Sequence, residues 1–77
     1  MNRYQFRALD SARQMRVLKL QGRLLHRRLK GKYDISLYGM KNFYIEVWFD
    51  AMKRDLQNLV TFKDRSLLNY PFNVSQE

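Results

Sequence analysis

The sequence predicts an α+β domain: an N-terminal helix packed on a three- to four-stranded antiparallel β-meander, closed by a short C-terminal helix. Three observations carry this expectation. Tyr33–Gly39 and Phe43–Asp50 each alternate in side-chain character, and only a short turn separates them. Asp10-Ser11 opens a run of good helix formers that stops at Gly22. The 77 residues suffice for one small domain, read as 1–77 with a less ordered lead-in at 1–9 and tail at 73–77.

Residues 1–9 read as a polar, basic lead-in with Tyr4, Phe6 and Leu9 as anchors. Asp10-Ser11 then supplies short oxygen-bearing side chains that cap free N–H groups at a helix start. Along Ala12–Gln21, Met15 and Leu18 share one face, while Arg13, Arg16 and Lys19 point elsewhere. Gly22 suits the left-handed position that ends many helices. The periodicity would also carry a helix through Leu25 and Leu29, but glycine inside a helix costs about 1 kcal/mol relative to alanine. With the stop at Gly22, Arg23–Leu29 is a first strand, Lys30-Gly31-Lys32 a turn and Tyr33–Gly39 a second strand.

Phe43–Asp50 is the stretch around which the chain is organised. Phe43, Ile45, Val47 and Phe49 form an apolar side; Tyr44, Glu46, Trp48 and Asp50 form an amphipathic one. A three-residue loop, Met40-Lys41-Asn42, with Asn42 left-handed, would pair Gly39 with Phe43, Leu37 with Ile45, Ile35 with Val47 and Tyr33 with Phe49. A two-residue Lys41-Asn42 loop would set Leu37 beside Glu46 instead, so a single inward core favours the longer loop. Tyr38 then lies beside Tyr44 on the outward face.

Ala51–Arg54 is a turn or helical start. Leu56–Phe62 fits a helix through Leu56, Leu59 and Val60, or a strand through Val60-Thr61-Phe62; a strand keeps Phe43–Asp50 off the sheet edge and is preferred. Asp64 can cap a last helix, Arg65 to Tyr70, that Pro71 ends. The expected core is Leu18, Leu25, Leu37, Phe43, Ile45, Val47, Phe49, Val60 and Phe62, with Leu67 and Leu68 at one end.

Composition narrows the function classes. There is no cysteine and a single histidine, His26, which argues against disulfides, thiol chemistry and a Cys- or His-rich metal site. No apolar run reaches the length of a membrane helix, and the N-terminus has no signal-peptide core, so the expectation is a cytoplasmic protein with no membrane, metal or cofactor partner. The net charge is +8, with +9 in residues 1–32 and −1 in the remainder. Such a basic half is a footprint for nucleic acid, or a solvated surface.

Enzyme signatures are absent: no Gly-rich phosphate loop, nucleophile elbow or zinc-binding helix motif occurs. Glu46, between Tyr44 and Trp48, would be the residue of a distant third reading as a general base, but a pair with Arg27 or Arg28 across the sheet is the simpler expectation. The expectation is therefore a non-enzymatic binding module. Its leading contact surface is the aromatic face Tyr38, Tyr44, Glu46 and Trp48, taking a protein partner or a second copy, because one helix does not easily cover two sheet faces. The alternative is RNA or DNA binding through Arg13, Arg16, Lys19, Arg23, Arg27, Arg28, Lys30 and Lys32.

Gly22, Arg27-Arg28, Leu37-Tyr38, Phe43-Tyr44-Ile45-Glu46-Val47-Trp48-Phe49-Asp50, Phe62 and Leu67-Leu68-Asn69-Tyr70 follow one another in a distinctive order. In these positions the chain resembles a family of short uncharacterised bacterial proteins over roughly residues 6–72, departing from it in Pro71 directly after Tyr70. The resemblance implies the helix-then-meander arrangement and brings no activity with it.

Overall fold

The computed structural model describes residues 1–63, so the expected last helix with Leu67 and Leu68 lies outside the described residues. Two helices, α1 (Arg3–Arg7) and α2 (Ser11–Gln21), precede four strands: β1 (Arg23–Lys30), β2 (Tyr33–Gly39), β3 (Tyr44–Asp50) and β4 (Asp55–Phe62). The strands form one antiparallel sheet in chain order, β1-β2-β3-β4. The expected α+β meander is present, and the strand preferred over Leu56–Phe62 is β4.

The lead-in expected at residues 1–9 holds a helix instead. Asn2 Oδ1 accepts from the Gln5 N–H, and Gln5 Oε1 accepts from the Asn2 N–H, both at 2.8 Å. This reciprocal cap satisfies two free donors. A helix of five residues has no stability of its own; burial holds it. Phe6 is fully buried, its ring 6.0 Å from that of Phe43.

In α2, Asp10 caps as expected, its Oδ1 accepting from the Arg13 N–H at 2.9 Å. Leu18 is buried, Met15 and Val17 are half-buried, and Arg13, Arg16 and Lys19 are exposed. Gly22 ends the helix, but with φ −77° and ψ 147° it is extended rather than left-handed. Glycine is required there for space: a Cβ would lie 2.6 Å from the Leu18 carbonyl oxygen, to which the Gly22 N–H donates at 2.9 Å. Gly31, at φ 58°, does use the left-handed region, in the turn between β1 and β2.

The β2–β3 register corrects the expected one. Leu37 pairs with Glu46, Ile35 with Trp48, Gly39 with Tyr44 and Tyr38 with Ile45. The Met40 N–H donates to the Phe43 carbonyl at 2.8 Å, closing a two-residue Lys41-Asn42 turn, and Asn42 is not left-handed. The expectation assumed one buried side. Both sides are buried. On the helix side, Phe6 and Leu18 pack with Phe43, Ile45 and Val47, flanked by Met15, Tyr38, Leu56 and Leu59. On the other side, Leu37 packs with Leu25, Tyr44 and Phe62, and Ile35 is fully buried. The apolar side of β2 and the apolar side of β3 therefore face opposite ways.

The core differs from the expected one at two positions of β2 and β3. Ile35, left out of it, is 0% exposed, and Phe49, placed in it, is 37% exposed. Leu25, Val60 and Phe62 are half-buried.

Gly22→Ala is expected to destabilise the fold by about 1–3 kcal/mol, because the added methyl must displace backbone. The usual Gly→Ala effect at negative φ is stabilising by roughly 0.4–1 kcal/mol. Urea denaturation of the two proteins separates these signs.

Candidate functional site

The new register splits the expected aromatic surface. Tyr44, Glu46 and Trp48 share one side of β3, while Tyr38 lies on the helix side, half-buried against the core there. Tyr38 is thus corrected out of that surface. The remaining three do not make an open stacking platform. Glu46 is 7% exposed, and its Oε1 accepts from the Trp48 indole N–H at 2.6 Å. Arg28 Nη2 stands 3.8 Å from Glu46 Oε2, the cross-sheet pair expected from the sequence. The Trp48 ring meets Tyr33 edge-on at 5.4 Å, and both side chains are half-buried. Glu46 is a structural acceptor in this arrangement, held on both oxygens and shielded from solvent.

The eight expected nucleic-acid-binding cations divide into two groups. Arg27 forms a bidentate pair with Asp34, with Nε to Oδ1 at 2.8 Å and Nη2 to Oδ2. Arg28 faces Glu46, and Lys32 Nζ lies 3.6 Å from Asp50 Oδ2. Arg13, Arg16, Lys19, Arg23 and Lys30 are exposed and make no ion pair among the described residues. Arg13, Arg16 and Lys19 lie on the solvent side of α2, and Arg23 begins β1 directly after it.

Asp50 is, with Asp34 and Glu46, one of the three carboxylates that the sequence offers as candidates for a catalytic pair. It is 1% exposed, and its Oδ1 accepts from the backbone N–H groups of Met52 at 2.9 Å and Lys53 at 3.0 Å. It thereby holds the β3–β4 turn, while Lys32 reaches it from the β1–β2 turn. The hydrogen bond from Lys53 leads in holding the Asp50 carboxyl below the usual carboxylate range; that from Met52 and the charges of Lys32 and Lys53 add to it, against the opposing effect of burial. Asp34 is held low chiefly by its hydrogen bonds from Arg27.

A surface absent from the expected site lies on the helix side, beyond the reach of the helices. Leu24 is 53% exposed, Leu29 73% and Phe49 37%. Leu24 and Phe49 line a groove of about 310 Å³ with Met15, Tyr38 and Val47, and the Arg27–Asp34 pair forms part of its wall. The signal available in the sequence was three leucines, Leu24, Leu25 and Leu29, in a strand otherwise made of His26 and four cations, Arg23–Lys30.

Among the described residues no group of His, Cys, Asp and Glu is placed to hold a metal ion, and no helix is long and apolar enough to cross a membrane. No family model, curated protein or solved structure matches the chain.

Asp50 and Asp34 are more acidic folded than unfolded, so each contributes stability above about pH 3.9, the unfolded value, and loses it as pH falls through the lower folded value. The urea midpoint is therefore expected to drop between pH 7 and pH 2.5. In Asp50→Asn, which keeps an acceptor oxygen but does not titrate, the drop should be smaller. An unchanged drop would remove Asp50 from the acid response.

Proposed function

We propose that this chain is a non-enzymatic binding module that engages another polypeptide through the part of its helix-side sheet face that α1 and α2 leave open. The observation that supports this most is the clustering of exposed apolar side chains: Leu24 and Phe49 share one groove, and Leu29 follows along the same side of β1. Single exposed leucines are ordinary, whereas a contiguous set beside a groove marks a contact surface. Tyr44, Glu46 and Trp48, the leading surface in the sequence, are engaged with neighbours within the sheet and serve the fold. The one carboxylate lining the groove, Asp34, is engaged by Arg27, and no histidine lines it beside Ser36, which supports a binding role over a catalytic one.

A photo-crosslinking residue at position 29 tests this reading in cells, with position 41 as control, since Lys41 is exposed but lies in the β2–β3 turn, at the opposite end of the sheet. Discrete adducts from position 29 and not from 41, reduced by Phe49→Ser, are the expected result. Equal labelling from both positions counts against the surface.

A second reading, nucleic-acid binding, is favoured by one observation: Arg13, Arg16, Lys19 and Arg23 are exposed along α2 and the start of β1 and make no ion pair among the described residues. If those four cations each neutralise a duplex phosphate, log K should fall with log salt at a slope of roughly −3.6. Arg16→Glu with Lys19→Glu should flatten that slope. Anisotropy of a labelled duplex over a salt series measures both.

A further inference from the structure

Resting on the polypeptide-binding reading just given, we infer that the partner is an acidic, extended segment that adds as a strand to the free edge of β1. Three features of β1 converge on this. It is an outer strand, paired among the described residues only with β2, so alternate backbone N–H and C=O groups point away from the sheet. Its helix side carries Leu24 and Leu29, beside which every second side chain of an added strand would lie. Its charge is of one sign: Arg23, Arg27, Arg28 and Lys30 occur with no acid in the strand.

The cations are not all consumed internally. Arg23 and Lys30 are exposed without an ion pair among the described residues, and the Arg27 side chain remains 61% exposed despite Asp34. An incoming carboxylate near either end of β1 meets a cation at low cost. The bulge between Leu24 and His26 leaves His26–Lys30 as the regular stretch, so the paired length is about five residues.

The same charges decide against a second copy of this chain. Antiparallel pairing of β1 with β1 would bring eight cations into one two-stranded ribbon, and like charges opposite each other destabilise a ladder. The other outer strand, β4, has a single acid, Asp55, and no base, so it lacks the charge that would select a partner.

The probe is a fluorescein-labelled octapeptide of alternating Glu and Val, titrated against the full chain and followed by anisotropy and by amide shifts in a nitrogen-15 spectrum. Saturable binding is expected, with the largest amide shifts in His26–Lys30. N-methylation of alternate peptide amides should weaken it at least tenfold, a Lys-Val peptide should not bind, and Arg23→Glu with Lys30→Glu should cost at least fivefold. Equal binding of the N-methylated peptide, with shifts at Leu24 and Phe49 but not in the His26–Lys30 amides, overturns strand addition and leaves the apolar-patch reading standing. Absence of any peptide binding overturns the inference. Absence of peptide binding together with tight, salt-sensitive binding of a single-stranded oligonucleotide, and no adducts from position 29, overturns both.

Discussion

Leu37 stands opposite Glu46, and most of the architecture follows from that pairing. With it, the oily side of β2 and the oily side of β3 face opposite ways, so the sheet has two interiors. One is filled by Phe6 and Leu18 from the helices; the other is built on Ile35 and Leu37. The pairing also places a carboxylate among apolar neighbours. A buried charge without partners is costly, and Trp48 and Arg28 supply them. A small chain gains from this division. A single-sided sheet would leave half of its aromatic content in water, whereas here the strands contribute bulk to both sides.

The two sides differ in what remains open. Short helices cover only part of their side: α1 spans five residues and α2 eleven. The cover reaches Ile45 and Val47 and stops before Phe49 and Leu29. Uncovered apolar surface and cationic edge thus meet on the same strand, β1. Arginine and lysine on an outer strand, with a bulge near its start, are also how sheets discourage indiscriminate pairing. Guarding an edge against copies of itself and reserving it for an acidic partner use the same side chains.

Much of this fold was legible in the residues. Alternation over Tyr33–Gly39 and Phe43–Asp50, the Asp10 cap and the glycines at 22 and 31 placed the elements, because each reflects local backbone chemistry. The register was not legible, since it depends on how many faces are buried, which no local pattern states. Gly22 was assigned correctly to the helix end for the wrong reason: the constraint is contact with the Leu18 carbonyl, not a left-handed backbone. Phe6 was underweighted because a single helical turn has no periodicity to detect. At the site, the Arg28–Glu46 pair was expected, but Tyr38 followed the mistaken register, and Leu24 and Leu29 were hidden by the charges around them.

Pairing in strict chain order has a kinetic consequence. Every strand meets its predecessor across a turn of at most four residues, 31–32, 41–42 or 51–54, and the described sheet contains no crossover. Little loop entropy is lost before each hairpin gains its ladder, so the sheet can zip from any of its three turns. Refolding on a timescale of about milliseconds, as for other mixed domains dominated by neighbouring contacts, is the natural outcome of that layout.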